Sequence, residues 1–114
     1  MKIEQIGDWT LEDRLAAGGK PLVVRFIEMG GSGSGGAAAR RDFLRVAKDH
    51  PHARFYEVDL IENPSLAKRY AIASAPVVLV FVDGLEVARH AGTLLAATVD
   101  RVLGVPGAEP EGTD

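Results

Sequence analysis

Seven consecutive residues, Gly30-Gly31-Ser32-Gly33-Ser34-Gly35-Gly36, divide the first half of the chain and constrain its fold more than any other feature. Each glycine weakens a helix interior by about 1 kcal/mol relative to alanine, so the run belongs to a connection and not to a helix. Before it stands Leu22-Val23-Val24-Arg25-Phe26-Ile27, short, β-branched and almost wholly apolar, the pattern of a strand covered on both faces. After it Ala39, Phe43 and Ala47 recur at four-residue steps with Val46 beside them. That is a helical stripe, and Pro51 makes His50 its stop.

The same logic orders the rest of the chain. Met1 to Ile6 alternates weakly and predicts a short edge strand. Asp8 or Thr10 can cap a first helix, Thr10 and Asp13 having capping-box spacing, and Gly18-Gly19 ends it. A second strand is expected over Phe55–Leu60. Asn63-Pro64 opens a helix reaching about Tyr70, because the Asn side chain can accept from an orphan amide and proline has none to orphan. Pro76 precedes Val77–Val82, the most apolar run of the chain. Asp83-Gly84 supplies the two φ > 0 residues of a tight hairpin turn, so Leu85–Ala91 returns antiparallel. Thr93 caps a last helix with Leu95, Val99, Val102 and Leu103 on one stripe, closed by Gly104. The order β-α-β-α-β-α-β-β-α predicts an α/β fold, a mixed central sheet with helices on both faces. With 114 residues the prior is one domain. It is expected over 1–104, with a disordered tail rich in Pro, Gly and acid over 105–114.

Composition narrows the function. A net charge of −3 argues against nucleic acid or an anionic membrane as partner, since both require concentrated positive charge. No segment approaches the ~18 continuous apolar residues of a membrane span, and no secretory signal is visible, so the cytoplasm is expected. There is no cysteine, which removes disulfides, thiolate metal sites and any cysteine nucleophile. His50-Pro51-His52, with Glu57 or Asp59, lacks a third ligand at a known spacing and is taken as a surface turn, so no metal is expected. Gly31–Gly36 matches G-x-G-x-x-G between a strand and a helix. Gly31, however, lies 28 residues before Asp59, where the dinucleotide fingerprint has about 20, and five glycines in seven satisfy such a pattern by chance. No cofactor is expected; at most, the orphan amides at the Ala37 helix start attract an anion. Ser32 and Ser34 have no histidine tied to them by spacing and are linker serines. Arg40, Arg41, Arg45 and Lys48 line one side of the second helix, a solvated face or a docking stripe for an acidic partner. Trp9 is expected in the core under the first helix. His90 is expected half-exposed on the last strand.

Residues from about 2 to 104 resemble a thioredoxin domain. The likeness is most specific from Asp59 to Gly84, which is similar to that family's Asp, Asn-Pro (Asn63-Pro64), Tyr-x-Ile-x-x-x-Pro (Tyr70, Ile72, Pro76), buried strand and turn. Gly92 falls where the family has another glycine, and Lys20–Phe26 resembles the strand entering its active-site loop. The resemblance implies a cis bond at Ala75-Pro76 beside a peptide-binding groove. It also implies that Ser74, Ala75 and Pro76 hold an extended protein segment by strand addition. The chain departs from the family at the chemistry. The positions of Trp-Cys-x-x-Cys fall on Gly31 and Ser34 counted from Phe26, or on Gly33 and Gly36 counted back from the helix. The family's buried proton-accepting Asp is replaced by Arg25. Disulfide exchange needs a thiolate, which a serine hydroxyl does not replace. Two functions follow: a redox-inactive thioredoxin-like domain that binds an extended peptide or protein, as an adaptor or chaperone-like module, or a thiol–disulfide oxidoreductase whose loop has been replaced by Gly/Ser.

Overall fold

A computed structural model of the chain describes residues 3–29, 36–91 and 95–104. The expected element order is observed: β1 (Glu4–Gln5), α1 (Asp8–Ala17), β2 (Leu22–Ile27), α2 (Gly36–Asp49), β3 (Arg54–Asp59), α3 (Pro64–Arg69), β4 (Val77–Val82), β5 (Leu85–His90) and α4 (Leu95–Leu103). The strands form one sheet in the order β1-β3-β2-β4-β5. β3 runs parallel to β1 and to β2, β4 is antiparallel to β2, and β5 is antiparallel to β4. The Gly30–Gly35 part of the loop, Gly92, Thr93 and the tail lie outside the described residues.

Because strand side chains alternate between faces, the sheet builds two cores. Leu22, Val24 and Phe26 of β2 join Leu11 of α1 and Leu66 of α3 on one side. Val23 joins Phe43 and Val46 of α2 and Leu95 and Val99 of α4 on the other. This explains why β2 is buried at every position and reads as a continuous apolar run. Asp83 and Gly84 take φ values of 53° and 81° in the hairpin turn, and a Cβ on Gly84 would lie 3.3 Å from the Leu15 carbonyl oxygen. Glycine is favoured there on both counts.

Three local expectations are corrected. Trp9 is 82% exposed, because α1 turns only its Leu11 stripe inward and Trp9 falls on the opposite side. No side chain of α1 caps its own start. The Asp8 amide instead donates to Asn63 Oδ1 at 3.2 Å, so neither Asp8 nor the Thr10–Asp13 pair serves as cap. Asn63 likewise makes no cap bond to α3, and its Nδ2 donates to the Asp59 carbonyl at 3.1 Å. One side chain thus joins the starts of two helices to the end of β3, and Gly7 leaves it room, since a Cβ there would lie 3.0 Å from Asn63 Oδ1. Asn63→Ala should destabilise the domain by about 1 kcal/mol in chemical denaturation, an effect of cap size felt across two helices. Third, His50 is buried, and its Nε2 lies 2.8 Å from Asp100 Oδ1 of α4. His52 alone remains in the exposed turn, its ring 5.7 Å from that of His50.

Candidate functional site

Ser74, Ala75 and Pro76 form the last stretch before β4, whose first residue pairs with Phe26. Ser74 is exposed, Ala75 and Pro76 are half-buried, and the Ala75–Pro76 peptide bond is cis. Among the described residues, neither the N–H nor the C=O of Ala75 enters a backbone–backbone hydrogen bond. A backbone in that condition, at the end of a strand, offers the donor–acceptor pair that an extended segment uses.

The approach to this stretch is held from two sides. α3 ends at Tyr70, Ala71 adopts φ 52°, and the Ile72 amide donates back to the Ala67 carbonyl at 2.8 Å. Arg89 of β5 donates to the Tyr70 carbonyl at 2.7 Å and the Ala71 carbonyl at 3.1 Å. These carbonyls end a helix, where a cation and a fork of donors are both favourable. Glu86 grips the same guanidinium with bonds of 2.8 and 2.9 Å. Hydrogen bonding from Arg89 holds the Glu86 carboxyl below its ordinary value. A depressed folded-state value adds stability above the unfolded glutamate range, and that stability is lost as pH falls through the folded value. The pair is largely solvated and the effect small. Denaturation midpoints of the parent and of Glu86→Gln should therefore differ slightly at neutral pH and converge as the carboxyl is protonated. Burial pushes the Tyr70 phenol up.

Arg25 lies where the resemblance has its aspartate. It follows Val23 on the α2/α4 side of β2 and pairs in register with Glu57 of β3. Arg25 Nη1 is 2.7 Å from Glu57 Oε2, with the two residues 3% and 1% exposed. Arg40 Nε reaches the same oxygen at 3.5 Å. Arg40 therefore leaves the stripe read from sequence, and Arg41, Arg45 and Lys48 line a shallow groove on α2 without it. The acids considered for a ribose or a metal are committed elsewhere. Glu57 is in this ion pair, and Asp59 Oδ1 accepts the amides of Met29 at 3.3 Å and Ile61 at 3.0 Å. Among the described residues no three His, Asp or Glu side chains converge on a metal site. Of the degenerate loop only Gly36 is described, opening α2 with φ 77°.

Sequence reasoning missed Glu57 as the partner of Arg25, Arg89 as the clamp on Tyr70 and Ala71, and the grip of Asp59 on the ends of two loops. One signal was available for the first: a basic residue inside β2 and an acidic residue inside β3.

The architecture can be compared with known proteins. The thioredoxin of Fasciola hepatica is 26% identical in sequence and superposes with a TM-score of 0.65, covering 80% of this chain and 86% of that one. The chain has the thioredoxin fold and contains no cysteine. Its sequence is 36% identical over 47 residues to a thioredoxin of Chlamydia trachomatis, 41% of this chain and 46% of that protein. It is 29% identical over 95 residues to monothiol glutaredoxin-S17 of Arabidopsis thaliana, 83% of this chain and 19% of that one. The chain thus spans less than half the length of either curated relative. No family model matches it. Among the described residues no helix of this thioredoxin-like chain is long and apolar enough to cross a membrane.

Proposed function

We propose that this thioredoxin-like domain is a redox-inactive binding module, an adaptor or chaperone-like protein of the cytoplasm that holds an extended protein segment along Ser74, Ala75 and Pro76. The carrying observation is the Ala75 backbone, which enters no backbone–backbone hydrogen bond among the described residues while its approach is fixed by Arg89. Strand addition at such a position derives affinity from main-chain bonds. A chain with no cysteine has no thiolate to carry disulfide exchange. An immobilised array of nine-residue peptides should yield binders whose Kd is the same with and without dithiothreitol. Pro76→Ala should weaken the same peptides at least ~10-fold, about 1.4 kcal/mol. If it binds them as tightly as the parent, the groove is not the binding site.

One observation favours a second reading. The relatives are named thioredoxin and monothiol glutaredoxin. In that reading the protein is a thiol–disulfide oxidoreductase whose loop has been replaced. Installing Gly31→Cys with Ser34→Cys and assaying disulfide reduction tests it, with Arg25 holding the rate down because a guanidinium favours thiolate but accepts no proton.

A further inference from the structure

A cavity of about 490 Å³ lies between α2 and α4, and Pro76 and Val77 are part of its wall. The volume falls in the range of ligand sites, about 300–1,000 Å³, whereas packed interiors leave few voids larger than a water molecule. Its cause is local. α2 and α4 meet at one end, where His50 contacts Asp100, but at the other end they face the cavity with Ala38 and Ala39 against Ala96 and Ala97. Four methyl groups do not fill the space between two helix backbones. Phe43, Val78 and Leu95, all buried, complete an apolar wall.

The polar groups at its border already have partners within the chain. Asp42 Oδ1 accepts from Arg45 Nη2 at 3.0 Å, Arg25 is bonded to Glu57, and His90 Nδ1 lies 2.8 Å from the Thr98 hydroxyl. A charged occupant would be desolvated without an opposite charge to offset it. An apolar group meets no such penalty and gains by leaving water.

We propose that this cavity is a specificity pocket which receives one large apolar side chain, aromatic or branched aliphatic, from the extended segment held at Ser74–Pro76. The inference rests on the function proposed above, because Pro76 belongs to both the groove and the cavity wall. The clients are then segments with such a residue beside the stretch that pairs with Ala75.

Two measurements test the pocket apart from the groove. Indole titrated into the full chain should shift the NMR methyl signals of Ala38, Ala39 and Ala96 and raise the thermal midpoint by mass action. Ala39→Leu, which keeps a good helix former while occupying the space, should abolish both effects. A nine-residue Ser/Thr peptide with one central phenylalanine should bind ~10-fold or more tightly than its alanine counterpart, and Ala39→Leu should erase that difference. Ala96→Leu repeats the test from α4 should Ala39→Leu fail to fold. Absence of indole shifts, or equal binding of the two peptides by the parent chain, overturns the pocket. Peptide binding that is lost in Pro76→Ala but indifferent to both phenylalanine and Ala39→Leu overturns the pocket alone. Binding that survives Pro76→Ala overturns the groove.

Discussion

Glu57→Gln is expected to destabilise this domain by about 3–5 kcal/mol, because it leaves the Arg25 guanidinium in the interior without its carboxylate. Both residues are buried, on adjacent strands, 2.7 Å apart, and Arg40 adds a second cation at 3.5 Å from the same oxygen. Removing the anion therefore leaves two guanidinium groups around one neutral side chain. Domains of this size have about 5–15 kcal/mol in total, so the variant should unfold at markedly lower urea concentration or not accumulate as folded protein. The pair itself is not thereby a strong stabiliser. Replacing both partners by apolar residues of similar volume, Arg25→Met with Glu57→Leu, is expected to be neutral or stabilising by about 1–4 kcal/mol. The decisive result is the contrast. If the single and double variants lose stability equally, the effect is one of packing and the charge account is wrong.

The second large effect is expected at Phe81. Its buried ring meets Tyr70 at 5.6 Å and 70°, and Phe26 meets Tyr70 from another direction at 5.9 Å and 45°. Phe81→Ala should lower stability by about 3–5 kcal/mol through lost transfer and the cavity left behind. Tyr70 also ends α3 and presents one of the carbonyls that Arg89 holds, so the loss reaches the approach to Ser74. Amide exchange should accordingly quicken at Ala71 and Ile72 more than in α2, which packs on the other side of the sheet. Uniform quickening throughout the chain would show that the aromatic cluster supports the core alone and has no special hold on the groove.

The order and type of every described element were legible along the chain because each depends on local rules. Apolar runs gave β2 and β4, four-residue steps gave α2, and Asp83-Gly84 gave the hairpin. Errors appeared where the partner is distant in sequence. Trp9 is large and apolar, which argues for burial, yet helix phase alone places it outward once Leu11 is fixed inward. Asn63 has the chemistry of a cap, but the amide it accepts belongs to Asp8, 55 residues earlier. His50 follows a helix next to a proline, which reads as a turn, and only the arrival of α4 buries it against Asp100.

What the amino-acid order settled by itself is therefore the alternation of strands and helices, the mixed sheet they build and the absence of any thiol, since backbone propensity, hydrophobic period and residue chemistry are properties of short stretches. What only the tertiary structure decided is the environment of single side chains: Arg25 matched to Glu57, Arg89 closing over the end of α3, and the space between two alanine-faced helices beside Pro76. Such pairings depend on which residues meet across strands and helices tens of positions apart, and a linear period carries no information about the distance between two elements once they pack.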